Sequence, residues 1–332
     1  MSTRIESYAL FGGLAALTAV TALLSLGVGT VFLSPARVAA LLFAGEGELM
    51  GVAVREIRLP RTLAALLVGG ALGLAGAALQ GYTRNPLADS GLLGVNGGAA
   101  LGAVLVLYTG VFTGIPFALP LGGLAGALAA TTLIVTLAGR ASIQTLILAG
   151  IAVSSLAAAL TSLVLNFAPN PYAAMEIVHW LLGSVSDSGW DHLGLVLPFM
   201  AAGALLLLLS GPGLRALTLG EDTAASLGFS LRRLRRLVIL GAALLVGPAT
   251  ALAGAIGFIG LVVPHLLRPL VRHDPARLLP ASAMGGAILL TAADVLIRLL
   301  PADRDFKLGV ITALLGAPFF LYLIFKVRKE WT

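Results

Sequence analysis

Runs of about 20 apolar residues recur along the whole sequence, and each is long enough to cross the roughly 30 Å hydrocarbon core of a bilayer as a helix. They lie near Tyr8–Val31, Arg61–Tyr82, Leu92–Tyr108, Ile115–Leu137, Ile143–Phe167, Leu193–Ser210, Leu237–Gly257, Leu278–Leu299 and Leu308–Lys326. A shorter piece, Ile259–Val271, contains Pro264 and ends among Arg268 and Arg272. Counted eighth in order, it brings the expectation to ten segments in an all-α polytopic membrane protein, one transmembrane domain over residues 1–332. Composition agrees: the 332 residues are 58% hydrophobic and 11% charged, against about 25% charged residues in soluble domains. A soluble enzyme, a disordered chain and a coiled coil are excluded. A membrane barrel would show alternating ten-residue segments instead of solid apolar runs.

Charge suggests the orientation. With the N-terminus inside, Arg4, Arg84, Arg140, Arg215, Arg232, Arg233, Arg235, Arg236, Arg268, Arg272, Arg277, Lys326, Arg328 and Lys329 fall inside, 14 of the 21 Lys and Arg residues. The other seven, Arg37, Arg55, Arg58, Arg61, Arg298, Arg304 and Lys307, fall outside. The excess favours cytoplasmic termini, and it assigns the net charge of +6 to membrane topology, with no need of nucleic acid. The apolar run at the N-terminus is too long for a cleaved signal and reads as the first span. Three connections are more than linkers. Residues 34–59 form an external loop with Glu46, Glu48 and Glu56. Residues 168–191 hold Pro169-Asn170-Pro171 and a short helix over Ala173–Gly183. Residues 211–236, opened by Gly211-Pro212-Gly213, form a charged cytoplasmic loop with acids first, which suits a short helix N-terminus.

Several chemistries are missing. There is no cysteine, hence no disulfide or thiolate site. Lys307, Lys326 and Lys329 are the only lysines and none follows glycine, so no P-loop exists and the chain is not itself an ATPase. His179, His192, His265 and His273 are not at metal-ligand spacing, no Gly-x-Ser-x-Gly elbow occurs, and no catalytic residue or metal ligand is expected. Asp294 is the nearest candidate for an ion-coupling acid, as a secondary transporter would need, but Arg298 one turn later offers it a partner. The 41 glycines, dense over residues 69–81 and 94–102, suit close helix packing in lipid and a pathway with few protruding side chains. Gly69–Ala77 and Gly247–Ala255 share a spacing that an inverted repeat would produce.

Four stretches in the first half, Arg58-Leu-Pro-Arg61, Gly70–Gly76, Arg84-Asn-Pro-Leu-Ala-Asp89 and Gly91–Asn96, occur in order with two in the second half, Gly254–Arg268 and Leu308–Phe320. Together they closely resemble the FecCD-type permease subunits of ABC importers for ferric siderophores, haem or cobalamin. Ser90 departs from the proline usual after the acid. The resemblance implies a type II importer permease fold of ten helices in the cell inner membrane. It also implies a second permease copy or close paralogue, two separate ATPase subunits and a periplasmic or tethered substrate-binding protein. No cofactor is expected in this chain, ATP and Mg being the partner ATPase's. An iron chelate is the favoured cargo, with haem and then cobalamin behind it, and a proton- or sodium-driven transporter or a purely structural subunit as rival classes.

The same resemblance assigns roles. Arg58, Arg61 and Arg298 would dock carboxylates of the binding protein, for which the guanidinium fork is well shaped. Lipid headgroups, or internal pairs with Glu56 or Asp294, are the alternatives for these arginines. Glu221, Asp222, Thr223, Ala224, Ala225, Ser226, Leu227 and Gly228 would form the helix that couples to the ATPase, its small residues Ala224, Ala225 and Gly228 seating in a groove. Asn85, Pro86 and Leu87 would make the cytoplasmic gate, with Ile143 and Gln144 a second constriction. Ser154, Ser155, Thr161, Ser162 and Asn166 on the fifth span are candidate pathway residues, unless each bonds its own helix backbone. Tyr172, His179, Trp180 and Trp190 stand near the outer mouth, as cargo contacts or interfacial anchors.

Overall fold

The computed structural model describes residues 2–43, 49–89, 94–109, 117–139, 143–168, 170–301 and 306–330, with side chains except at 2–7, 143 and 323–330. Glu46, Glu48, Ser90, Arg140, Pro169 and Arg304, and the side chains of Arg4, Ile143, Lys326, Arg328 and Lys329, lie outside the described residues. In chain order the helices are α1 (Ser2–Gly27), α2 (Pro35–Leu42), α3 (Leu49–Val52), a π-helical turn (Ala53–Arg58), α4 (Leu59–Thr83), α5 (Val95–Thr109), α6 (Ala118–Ala138) and α7 (Ile143–Asn166). There follow α8 (Pro171–Leu181), α9 (Trp190–Leu217), α10 (Glu221–Ser226), α11 (Leu231–Ala253), α12 (Ile259–Leu267), α13 (Pro275–Leu299) and α14 (Leu308–Glu330). The ten expected segments are all present in the expected order, as α1, α4, α5, α6, α7, α9, α11, α12, α13 and α14. Among the described residues, seven helices are long and apolar enough to cross a membrane, while α5 and the Leu308–Tyr322 part of α14 are shorter apolar stretches.

α4 and α11 are the most enclosed spans, with 78% and 72% of their apolar windows buried, and they pack on each other running antiparallel. These are the helices that carry the two matching glycine–alanine stretches. The α4–α13 contact is backbone on backbone. A Cβ on Gly73 would collide with the Ser282 carbonyl, and one on Gly286 with the Gly69 carbonyl. Gly102 and Gly126 do the same for α5 and α6. In lipid, where apolar burial drives little association, such close approach supplies the van der Waals contact that holds spans together.

Connections are more helical than the sequence suggests. The 34–59 region is not an open loop. Ser34 caps α2, whose Val38 and Leu41 are fully buried, and Leu49–Thr83 is one continuous helical path through the π-turn. Val54, also fully buried, gives that extension an apolar reason to stay helical. α8 starts at Pro171, two residues earlier than expected, because Asn170 accepts the Ala173 N–H at 2.9 Å and proline suits the first helical position. The 211–236 connection shrinks to 218–230, since α9 runs straight through Gly211-Pro212-Gly213. Those glycines serve packing: Gly211 lies against Ala276 and Gly213 against Leu234. α11 then begins one residue after Ser230, whose hydroxyl accepts the Arg233 N–H at 3.3 Å.

The bundle has two ends. At one, called the α8 end, lie the C-terminus of α1, the π-turn, α8 and the start of α14. At the other, the α10 end, lie α10, the α4–α5 turn and the α12–α13 junction. α1 begins and α14 finishes at the α10 end.

Candidate functional site

At the α8 end two arginines converge on one acid, with a third beside them. Asp294, in the penultimate turn of α13, has a side chain only 2% exposed. Arg61 grips it with a fork: Nη2 donates to Oδ1 at 2.8 Å, and Nε to Oδ1 and Oδ2 at 3.1 and 3.2 Å. Arg298, one turn on, places Nη2 at 2.8 Å from Oδ2. Arg298 also donates to the carbonyls of Ser25 and Val28 at 2.7 and 2.9 Å, and to the Ser25 hydroxyl at 2.6 Å. Ser25 and Thr62 are joined at 2.7 Å, which ties α1 to α4.

Arg58 completes the cluster. Its Nη1 donates to the carbonyls of Leu26 and Gly27 at 3.0 and 3.2 Å, and its Nη2 to Val31 at 2.8 Å. A helix leaves its last carbonyls without intrahelical partners, and the C-terminal end carries partial negative charge. Arg58 and Arg298 satisfy those groups on α1. Arg58 and Arg61 therefore do not share one outward face as the three-residue spacing suggests. The π-turn rotates Arg58 inward, where it is 9% exposed, and Arg61 is the most open of the three at 21%. The internal pairing with Asp294 is formed, whereas Glu56 is exposed. Ser25 and Thr62 were not singled out from sequence, because small hydroxyls in apolar helices carry no local signal.

At the α10 end the expected coupling segment is a separate short helix. Gly220 at φ 102° and Gly228 at φ 86° bracket α10, conformations that side chains rarely adopt, and Ser226 donates to the Asp222 carbonyl at 2.9 Å. Its small residues do not form one face. Ala224 is fully buried against the bundle, whereas Ala225 and Gly228 are exposed. Glu221, Asp222, Thr223 and Ser226 are exposed, as are the apolar Leu219 and Leu227. Glu221 reaches Arg84 at 3.9 Å. Arg84 ends α4 in the left-handed region, φ 51°, and leads into an Asx turn in which Asn85 Oδ1 accepts the Leu87 N–H at 2.9 Å around Pro86. The presumed coupling and gate segments are thus joined by one ion pair. Gln144, exposed at the start of α7, stands at the same end. Asp274 caps α13 through the Ala276 N–H at 3.0 Å and takes both Nε and Nη2 of Arg215, at 3.0 and 2.6 Å. Burial pushes the Asp274 carboxyl up, but the Arg215 and Ala276 hydrogen bonds prevail and hold it below the usual carboxylate range.

The polar residues of α7 divide. Ser154 and Thr161 are half-buried, while Ser155, Ser162 and Asn166 are exposed. Asn166 turns back to donate to the Ser162 carbonyl at 2.9 Å. Leu148, Ser155 and Ser162, seven residues apart, share an open face on a span with only 22% of its window buried. Of the outer-mouth residues, Trp190 donates to the Arg55 carbonyl at 3.1 Å, Tyr172 is exposed, and His179 and Trp180 line a cavity of about 490 Å³. Glu176, Asp187, His192 and Lys307 line the same cavity. No local sequence signal announces this assembly, because its members come from segments far apart in the chain.

Helices sealed backbone to backbone, seven of them among the described residues long and apolar enough to span a bilayer, with charge gathered at the two ends, define a multi-pass membrane protein. The family model of the FecCD transport family matches residues 17–326. Similar proteins include an uncharacterized ABC transporter permease of Bacillus subtilis, YvrB, 41% identical over 82% of this chain and 79% of its own. The hemin transport system permease HmuU of Yersinia pestis is 37% identical over 99% of both chains. The vitamin B12 import permease BtuC of Klebsiella pneumoniae is 39% identical over 95% of this chain and 93% of its own. A solved metal-chelate type ABC transporter in an inward-facing conformation superposes with a TM-score of 0.86 at 34% identity, over 96% of this chain and 99% of that one. The chain belongs to the FecCD transport family and is the permease of an ABC importer.

Proposed function

We propose that two copies of this chain, or this chain and a close paralogue, form the conduit of an importer for a ferric chelate, with both termini in the cytoplasm. The α10 end meets two separate ATPase subunits, where ATP and Mg act, and the α8 end receives cargo from a substrate-binding protein. The observation that carries this reading is the agreement in order and length, over nearly the whole chain, with permeases of this family.

Geometry supports each part. α10 exposes Ala225, with Leu219 and Leu227 exposed just beyond its two ends, a shape suited to insertion in a groove on an ATPase. Its pairing with Arg84 gives movement of that helix a direct connection to Asn85, Pro86 and Leu87. The open α7 face, with Ser155 and Ser162 among leucines, suits a second subunit and a mildly polar pathway. Gln144 is exposed beside Ile143 at the start of α7. At the α8 end, Arg58, Arg61 and Arg298 outnumber Asp294, so the cluster carries excess positive charge toward an acidic docking partner, with Arg61 nearest the surface. Haem or cobalamin is the second reading for the cargo, favoured by the hemin and vitamin B12 relatives.

ATP binding in the partner moves the conduit only through contacts that differ between its two states. Reconstitution with the ATPase and binding protein tests this. Uptake of the ferric chelate into proteoliposomes is expected to require ATP, and uptake that persists with an inactive ATPase overturns the proposal.

A further inference from the structure

The cavity beside α8 gathers side chains of both charges. Its polar lining includes Glu176 and Asp187 together with Lys307, His179 and His192. Leu107, Leu119, Pro120 and Leu252 supply apolar lining. Apart from those of α8 and its following turn, these residues sit at span ends. Leu107 is in the last turn of α5, Leu119 and Pro120 in the first turn of α6, His192 in the first turn of α9, Leu252 in the last turn of α11, and Lys307 immediately before α14. The cavity therefore lies at the depth of lipid headgroups, where tryptophan, here Trp180, is also favoured.

The walls are fixed before any ligand arrives. Ser184 N–H donates to the Ala253 carbonyl at 2.8 Å, Leu308 N–H to Gly183 at 2.9 Å and Gly309 N–H to Leu182 at 3.0 Å, which ties the end of α8 to α11 and α14. Ser184 and Ser186 hydroxyls meet at 2.7 Å, and Ser186 reaches Asp187 at 3.4 Å. Phe117 meets the His192 ring edge-on at 6.4 Å. At about 490 Å³ the space falls within the size range of small-molecule sites.

The helix whose first turn lines this cavity also carries an apolar stripe on its exposed side. That helix, α6, exposes Leu121, Leu128 and Val135, seven residues apart and 46%, 38% and 39% exposed. Fourteen residues of helix extend about 21 Å, enough to cover an acyl chain in one leaflet of a core roughly 30 Å thick. Both signs of charge at headgroup depth, beside a helix that shows an apolar stripe, match one ligand chemistry.

We propose that the cavity holds the headgroup of a zwitterionic phospholipid bearing a primary ammonium. Glu176 and Asp187 take the ammonium, Lys307 faces the phosphodiester, and an acyl chain lies along the α6 stripe. The site belongs to one chain and stands whether or not the cargo assignment does.

Native mass spectrometry of the purified full-length permease, released from nanodiscs of equal phosphatidylethanolamine and phosphatidylglycerol with matched chains, tests it. The wild type is expected to retain phosphatidylethanolamine preferentially. Glu176→Gln with Asp187→Asn should cut that preference about fivefold, the scale of partly exposed ion pairs. Lys307→Gln should lower retention of both lipids, and provides an independent arm if the acid variant folds poorly. Equal retention of the two lipids by wild type, or unchanged preference in the acid variant, overturns the proposal. Displacement by soluble phosphoethanolamine as effective as by the whole lipid also overturns it, because the apolar stripe would then contribute nothing.

Discussion

Replacing Asp294 with asparagine removes the one negative charge among three arginines while preserving shape. Deleting one partner of a buried pair costs about 3–5 kcal/mol when the other charge is stranded. Two features reduce that here. Arg61 is 21% exposed and can regain water. Arg298, at 10%, keeps the Ser25 and Val28 carbonyls and the Ser25 hydroxyl. The amide also retains one acceptor oxygen for the Arg61 fork. A net loss of roughly 2–3 kcal/mol remains, which for a chain of this size is a fall in melting temperature of about 3–4 °C. Thermal unfolding in one detergent, followed by tryptophan fluorescence, reads it. A double-mutant cycle with Arg61→Gln should return a coupling of about 1–3 kcal/mol. ATP-driven uptake per folded transporter should survive within about threefold, since the acid's task is to hold helices. A variant that melts within about 1 °C of wild type refutes the buried hub. One that melts normally but loses all uptake would instead indict Asp294 as an ion-coupling group.

Other outcomes follow from the same geometry. Arg61→Glu should weaken association with the binding protein by about tenfold or more, measured by interferometry on nanodisc-embedded permease; unchanged affinity would remove Arg61 from docking. Leu227→Glu, on the exposed side of α10, should reduce ATPase co-purification severalfold while leaving the melting temperature unchanged. Asp274 has a folded-state pKa depressed below 3.8, so its contribution to stability is complete above that value and is lost as pH falls through the lower folded value. Melting curves of wild type and Asp274→Asn should therefore converge as pH drops below about 4. Gly286→Leu places a side chain against the Gly69 carbonyl and should abolish expression of folded protein, whereas Gly194→Ala, where a Cβ meets nothing within 4 Å, should be silent in the same size-exclusion assay.

The spans were legible because twenty apolar residues in lipid leave one solution. The ion pair between Asp294 and Arg298 was legible for a similar reason, as four residues on a helix bring side chains together. Arg61, 233 residues from Asp294, had no such local cue, and the inward turn of Arg58 depends on a π-turn that nothing in Ala53–Arg58 announces. Gly211-Pro212-Gly213 misled as a boundary. In water these residues break helices, but in a bundle glycine's absent side chain is a packing surface and proline costs only one hydrogen bond. The start of α10 at Glu221 was legible, but the helix stops at Ser226 short of Gly228, and which of its alanines pointed outward depended on the body beneath it.

The backbone seams of α4 with α13 and α5 with α6 have a mechanical consequence. Interlocked side chains must leave one rotamer well and find another before two helices can shift, whereas smooth polypeptide surfaces slide with no such toll. Movement in this transporter is therefore expected to follow the seams as shear, with the glycine-poor contacts travelling as rigid blocks.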